Sequence, residues 1–338
     1  MQLSTCRRSV AAFSLLVLGG CADRTITAPA IFWSGHWWPM ATSDARRKMY
    51  DPSDVTDRYW LYLQATRSPV SDVFRPPTAT EKEREVHLCG GTCVSPAGDY
   101  CGHCNAWTAA AMREPEPVVS ITKTIIRYGT RDPSGHIIVG GTPPVIEEGV
   151  PPPDIFADTT VVVFEVGHQK GLLTEIWTRY DGSDAFGNVH GPDVTAVDWH
   201  RTLDSFESTG FAIELKPGDP VWNYPVHEVK LRFTDRREGD VLWRDVEARV
   251  EYVISVDENF VGQRTDKVTF RYKLKIVRDV VVWGAWDGPW PGSIWRPKRP
   301  NSAANTRVLE SCVREIINEG DETILIRSSA DFRPWPCS

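Results

Sequence analysis

Two segments in the C-terminal half of the chain, 246–256 and 267–277, alternate apolar and polar residues over their whole length. In KVTFRYKLKIV (267–277), Lys, Thr or Arg separates the apolar side chains, which are Val268, Phe270, Tyr272, Leu274 and Ile276. A repeat of two residues over this length is typical of an antiparallel strand with one buried face, because successive side chains of a strand point to opposite sides. The two segments therefore predict a sheet of long antiparallel strands.

Shorter segments rich in β-branched and aromatic residues predict further strands at 159–166, 211–215 and 226–233. Convincing helices are few, and we predict one directly after Cys104, one within 41–65 and one over 306–318. In the last of these, apolar residues recur at helical spacing. The fold class predicted from these elements is α+β with a dominant antiparallel sheet.

The first 21 residues have the organisation of a secretory signal, with Arg7 and Arg8 followed by a short apolar run. Their end, Leu-Gly-Gly-Cys, resembles the lipobox of bacterial lipoproteins, in which the cysteine becomes the lipidated N-terminus. We therefore predict that Cys21 carries a lipid anchor and that the chain lies in the bacterial cell envelope. Because Ala22 follows rather than Asp, the resemblance implies the outer membrane in preference to the inner one. The alternative is an ordinary signal with a chance cysteine.

The predicted domain organisation is a signal peptide at 1–20, a tether at 21–30, one main domain at 31–300 and a C-terminal helical extension at 301–338. An exported chain faces an oxidising space, where cysteines form disulfides. Cys312 and Cys337 could staple the extension in this way.

The composition excludes one class of partner and leaves another open. The formal net charge is −7, and loss of two arginines with the signal leaves about −9, so we predict no nucleic-acid partner. The chain has 14 Trp residues, many beside Pro or Gly, as extracellular sugar-binding modules often do. A core filled by these rings is the other interpretation.

The segment DYCGHCNAWTAAAM (99–112) holds two cysteines directly before a run of small, helix-forming residues that Glu-Pro-Glu-Pro (114–117) ends. This places the Cys104 sulfur at a helix N-terminus, where unpaired N–H groups stabilise a thiolate, the form that attacks. The pattern also resembles the C-G-S-C-W-A-F signature of papain-like proteases, with Asn105 in place of the aromatic residue. A redox pair, a zinc site shared with Cys89 and Cys93, and a structural disulfide are the alternatives.

A nucleophilic cysteine needs a base, and the base needs a residue that orients it. Of the eight histidines, His200 and His227 are comparable candidates on the sequence alone, since both lie at or near the start of a predicted strand.

The segment PVWNYPVHEVKLR (220–232) resembles the elicitor peptide of an oomycete cell-wall transglutaminase, VWN-x-PV followed by a charged strand. Tyr224 stands where that family has Gln, and the family lacks His227. Further segments resemble the family in the same order along the chain: 34–40, 104–118, 164–177, 193–203, 211–226 and 283–297. Over roughly 31–298, the chain thus resembles the transglutaminase elicitor family, which has members in oomycetes and some bacteria.

The resemblance implies a protein-glutamine γ-glutamyltransferase with a cysteine-protease-like centre on a helix packed against the sheet. Cys104 is then the nucleophile and His200 the base, and either Glu214 or Asn223 orients the imidazole. We favour Glu214, because a carboxylate also stabilises the imidazolium that forms. The expected substrates are proteins with accessible Gln and Lys side chains.

The resemblance also implies calcium dependence, although the sequence holds no EF-hand-type loop and identifies no metal ligands. Three other functions stay open: a papain-like protease, a glutamine deamidase, and a Trp-rich surface lipoprotein that binds glycan without catalysis and holds Cys104 in a disulfide.

Overall fold

The computed structural model describes residues 23–36, 55–67, 104–131, 137–139, 156–177, 180–183, 194–215, 222–300 and 308–334. These residues form a mixed α+β fold in which most strands are antiparallel, as the sequence predicts. The signal peptide, Cys21, the cysteines at 89, 93 and 101, and Cys337 lie outside the described residues.

The described residues form five α-helices: α1 (Val55–Thr66), α2 (Cys104–Arg113), α3 (Val166–Ile176), α4 (Ala196–Thr209) and α5 (Glu310–Asn318). Helices α1, α2 and α5 match the three that were predicted. Helix α3 was missed because all of its residues are buried, so its sequence has no polar face and no helical period. Helix α4 corrects the placement of His200, which lies inside this helix and not directly before a strand.

The large sheet contains seven strands: β1 (Arg24–Thr27), β6 (Ala212–Leu215), β7 (Trp222–Glu238), β8 (Val241–Val253), β9 (Thr265–Val277), β10 (Val280–Trp286) and β11 (Ile294–Trp295). Their order is β10-β9-β8-β7-β6-β11, and β1 pairs with β7 as well. The two long alternating segments form β8 and β9, which confirms their prediction. The predicted tether is not wholly free of the fold, because Ile26 of β1 is buried in the core.

A second sheet is built around β2 (Ile121–Arg131), a strand that was not predicted. Strand β4 (Phe156–Phe164) pairs with it in antiparallel fashion, and β13 (Glu322–Ile326) pairs with it in parallel. Strand β3 (Ile137–Ile138) extends this sheet. The short strands β5 (Tyr180–Ser183) and β12 (Pro297–Pro300) pair with each other.

The large sheet separates two hydrophobic cores. On β6, Ala212 faces one core and its neighbour Ile213 the other; on β11, Trp295 and Ile294 divide in the same way. The first core contains the buried residues of α1, α2, α3 and α5, and the second contains those of α4. Because successive residues of a strand point to opposite faces, α2 and α4 lie on opposite sides of the large sheet.

The C-terminal segment is part of the main fold and not only a helical extension. Cys312, Val313 and Ile316 of α5 are fully buried in the first core, and β13 completes the second sheet. A buried ion pair also joins Arg67 at the end of α1 to Glu315 of α5, with 2.8 Å between nitrogen and oxygen. Since Cys337 lies outside the described residues, the predicted disulfide stays a prediction.

Within the described part of the chain, none of the helices has the length and apolar character needed to cross a lipid bilayer.

The integration of α5 predicts that Ile316→Ala lowers the free energy of unfolding by about 2–5 kcal/mol, because the truncation leaves a cavity in the main core. Urea denaturation of the whole protein measures this. Ser311→Ala, on the exposed side of the same helix, is the control and should change stability by less than about 0.5 kcal/mol. Equal, small effects of both substitutions would mean that α5 is a separate appendage.

Candidate active site

Cys104 is the first residue of α2; it is half-buried, and its thiol is not part of a disulfide. The alternative in which Cys104 is tied in a disulfide is therefore not what the structure shows. The helix forms here because Asn105, Ala106 and the alanines that follow suit a helix start and interior, and it ends before the prolines at 115 and 117. The sulfur lies among the unpaired N–H groups of the first turn, as the sequence predicts.

Asn223, the second residue of β7, contacts the thiol directly. Its side-chain nitrogen Nδ2 donates to Cys104 Sγ over 3.8 Å. Its side-chain oxygen Oδ1 accepts a hydrogen bond of 2.7 Å from the indole Nε1 of Trp295. Because an indole N–H can only donate, it holds the Asn223 amide with the oxygen towards Trp295 and the amino group towards the sulfur.

A further hydrogen bond fixes the helix to the strand beside this contact. Thr108, one turn along α2 from Cys104, donates through Oγ1 to the main-chain oxygen of Asn223 over 2.9 Å. Both atoms are buried. The distance between the sulfur and the Asn223 amide is therefore set by a direct link between the two elements.

Two opposing effects act on the thiol. Burial raises the pKa of Cys104 above the ordinary value of a cysteine, because it disfavours the thiolate. Hydrogen bonds from the Asn223 side chain and from main-chain N–H groups at the helix start act in the other direction and lower this pKa. The hydrogen-bond donors around the sulfur thus stabilise a negative charge that forms on it, whereas burial favours the protonated thiol at rest.

Glu214 lies beside Asn223. The two residues are direct partners across the β6–β7 pair, and both side chains are buried on the face that carries α2. Ser293 donates through Oγ to Glu214 Oε2 over 3.0 Å. Neither Glu214 nor Asn223 lies near His200, so the structure does not support their predicted role as the residue that orients that imidazole.

His200 is not brought to Cys104, which corrects the predicted nucleophile–base pair. It lies in α4, where Nδ1 is 2.9 Å from the hydroxyl of Tyr272 and the ring packs against Phe233. Phe233 is ten residues beyond Asn223 on β7, about 33 Å along an extended strand. Helix α4 also occupies the opposite face of the sheet from α2. Burial lowers the pKa of His200, and Asp204 partly offsets this effect.

The other histidines of the described residues have structural contacts. His227 of β7 receives a hydrogen bond at Nδ1 from Gln263, with 3.5 Å between the nitrogens. His168 caps α3 by accepting from the main-chain N–H of Glu165 over 3.1 Å. His36 is buried, with Nδ1 at 3.4 Å from the main-chain oxygen of Val256. His103, the neighbour of Cys104, lies outside the described residues.

The described residues contain no group of three or more His, Cys, Asp or Glu side chains that could hold a metal ion. Calcium therefore stays an implication of the sequence resemblance.

A comparison of the chain with models of known protein families, with curated proteins and with solved structures found no match.

The sequence predicted Cys104, His200, Glu214 and Asn223 as site residues, and the structure places Cys104, Glu214 and Asn223, but not His200, on one face of the sheet. It did not identify Trp295, Ser293 or Thr108, which hold the other side chains in place. The only available signal was the Trp-rich segment at 283–295, which does not show which of its rings would reach the nucleophile. Chemically, the group can form a covalent bond at sulfur and donate hydrogen bonds to charge that develops beside it.

The opposing effects on the thiol predict how its reactivity depends on pH. Alkylation of Cys104 by iodoacetamide, followed by mass spectrometry between about pH 7 and about pH 10, should give an apparent pKa above that of an ordinary cysteine. Asn223→Ala should raise it further, because a donor to the thiolate is lost.

Trp295→Phe should move the apparent pKa of Cys104 in the same direction by a smaller amount, since the amide of Asn223 can then turn. Trp243→Phe is the matched control, because Trp243 donates its indole N–H to Glu238 on the distant end of the sheet. An unchanged alkylation profile in Asn223→Ala would show that the amide does not act on the sulfur.

Proposed function

We propose that this chain is a cysteine-dependent acyltransferase that forms a thioester on Cys104 with the γ-carbonyl of a protein glutamine and passes it to a primary amine. The observation that carries the proposal is the thiol at the start of α2, which is not in a disulfide and faces the amino group of Asn223, whose amide Trp295 holds in one orientation. The resemblance to the transglutaminase elicitor family supports the choice of glutamine as the substrate.

In the first step, the Cys104 sulfur attacks the γ-carboxamide carbon, and the carbonyl oxygen takes the negative charge. Nδ2 of Asn223 and the main-chain N–H groups at the start of α2 are the donors that stabilise this oxygen. The C–N bond then breaks, a thioester remains, and the thiol proton leaves with the ammonia. In the second step, an amine nitrogen attacks the thioester carbon, the C–S bond breaks, and an isopeptide bond forms.

The same centre could also act as a deamidase or a protease, since water can replace the amine and a peptide carbonyl can replace the carboxamide. The two rivals differ from the transferase in products: glutamate without amine uptake, or cleaved peptide. The glycan-binding alternative has less support, because the thiol is not in a disulfide and lies beside a fixed hydrogen-bond donor.

Incorporation of a fluorescent primary amine into casein tests the proposal. We expect the wild-type protein to incorporate the amine and Cys104→Ala to lose at least about 10³-fold of the rate, because the covalent step is removed. Assays with added calcium and with a chelator test the implied metal dependence separately. Peptide cleavage or glutamate formation without amine uptake would replace the transferase with a protease or a deamidase.

Two further variants separate the site seen in the structure from the one implied by resemblance. Asn223→Ala should lower kcat by about 10²–10³-fold, the usual effect of removing an oxyanion donor. His200→Ala should stay within about threefold of wild type, because the imidazole lies far from the sulfur on the other face of the sheet. A loss in His200→Ala as large as that in Cys104→Ala would show that the active conformation differs from this one.

A further inference from the structure

The far part of the large sheet, where β7 ends and β10 begins, exposes one of its faces to solvent. On β8 and β9, Val246, Tyr272 and Leu274 are buried in the second core. The side chains between them lie on the opposite face, because successive residues of a strand point to opposite sides. Arg271 and Lys273 of that opposite face are exposed. This surface is the open face of the sheet, and a ligand can reach its side chains.

One row of side chains crosses four strands of the open face. Trp243 of β8 pairs with Arg236 of β7 and with Lys275 of β9. Lys275 in turn pairs with Trp283 of β10. Direct partners on neighbouring strands project to the same face, so the four side chains stand side by side. Strands lie about 4.8 Å apart, so the row is about 14 Å wide.

Contacts inside the row hold Trp283 in place and leave much of it open. The rings of Trp243 and Trp283 meet edge to face, with 6.0 Å between their centroids. Trp243 is itself held on two sides, because its indole N–H donates to Glu238 over 3.1 Å and the ammonium of Lys275 lies 5.6 Å from its ring centroid. Trp283 is nonetheless 46% exposed, and Val280 on the same strand is 56% exposed. A large apolar ring that is both fixed and exposed is typical of a binding surface.

An open cleft of about 440 Å³ adjoins the row on the same face, beginning two residues from Trp243 along β8. Its charged lining residues are three cations and three anions: Arg232, Arg271, Lys273, Asp245, Glu247 and Asp287. Arg271 pairs with Glu247 over 2.8 Å, and Lys273 pairs with Asp287 over 3.5 Å. Ion pairs as exposed as these contribute little to stability, so their groups are available to bind a ligand. The cleft thus offers hydrogen-bond donors and acceptors in balance.

The row and the cleft together select the chemistry of the ligand. A lining with equal numbers of cations and anions does not suit anionic lipid or nucleic acid, which bind surfaces with an excess of cations. Hydroxyl groups both donate and accept hydrogen bonds, so they match such a lining. A β-linked pyranose ring carries its hydroxyls at its rim and C–H bonds on its two faces, which lets it stack on an indole. Its chain is also extended and flat, like the open face.

We propose that the open face binds a neutral β-linked glycan chain, with one sugar ring stacked on Trp283 and its neighbour hydrogen-bonded in the cleft. This site is separate from the candidate active site, because Arg236 is thirteen residues beyond Asn223 on β7, about 43 Å along an extended strand. The proposal goes beyond the acyl transfer at Cys104 and does not depend on it. A glycan site in the same chain would hold the protein on a polymer while Cys104 acts on protein substrates.

Affinity electrophoresis in gels that contain a soluble polysaccharide tests this proposal. Mixed-linkage β-glucan and laminarin are the β-linked probes, and soluble starch is the α-linked control. We expect a β-linked probe to retard the wild-type protein and starch to leave it unretarded. Trp283→Ala should lose at least about tenfold in affinity because the stacking ring is removed, and Trp283→Phe should lose less. Wild-type protein that neither β-linked probe retards, or that starch retards equally, would overturn the proposal.

Trp290→Ala is the matched control, because Trp290 is 37% exposed but belongs neither to the row nor to the residues that line the cleft. It should leave the retardation unchanged, and a loss equal to that of Trp283→Ala would overturn the site. Asp245→Ala should also weaken binding, and an unchanged affinity would overturn the part assigned to the cleft.

Binding to phosphatidylglycerol vesicles in place of either β-linked probe would assign the open face to an anionic lipid surface and overturn the proposal. Failure of this site and failure of the proposed function give different results. Cys104→Ala should be retarded like the wild type, because the thiol takes no part in glycan binding. Retardation without amine incorporation would contradict only the acyl transfer, and amine incorporation without retardation would contradict only the glycan site.

Discussion

The buried ammonium of Lys170 determines how the first core is assembled. It lies in α3, the helix with no exposed side, and a charge in that position is tolerated only if it is fully compensated. Its Nζ contacts the carboxylate of Glu116 at 2.6 Å and the main-chain oxygens of Ser34 and Phe260 at 2.9 and 2.6 Å. Burial lowers the pKa of Lys170, and Glu116 acts against this by favouring the charged form. Lys170 Nζ thereby joins three segments that are distant in sequence, those of Ser34, Glu116 and Phe260.

This cluster also determines where Cys104, the candidate nucleophile, lies. Ser34 is followed by Gly35, which fits so closely against the indole of Trp107 that a Cβ atom would lie 2.2 Å from its nitrogen. Trp107 is three residues beyond Cys104 and is 1% exposed, so its packing fixes both the position and the rotation of α2. Glu116 follows the end of the same helix. The direction in which the Cys104 sulfur points is therefore linked, through α2, to the charge of Lys170 on α3.

Local patterns predicted the parts of the fold in which one face is buried and one is not. Strands β8 and β9 were predicted because their alternation records that difference, and the start of α2 was predicted because small residues follow Cys104 and prolines end the run. The same criterion missed α3, whose burial on every side leaves no helical period of apolar and polar residues.

Local patterns also missed the partners of Asn223, because the hydrogen bond from Trp295 spans 72 positions and depends on the register of β6 between β7 and β11. His200 was misplaced for a related reason: the pattern of α4 shows an apolar face but not which side of the sheet that face covers.

The site that results contains donors at the sulfur and a carboxylate beside them, and this set of groups suits one class of reaction better than another. Exchange of the ammonia of a carboxamide for a second amine consumes and releases the same number of protons, because an ammonium enters and an ammonium leaves. Hydrolysis instead requires a proton to be removed from water, a far weaker acid than an ammonium. In the proposed reaction, preference for amine over water thus arises from the greater acidity of the entering ammonium as well as from exclusion of solvent.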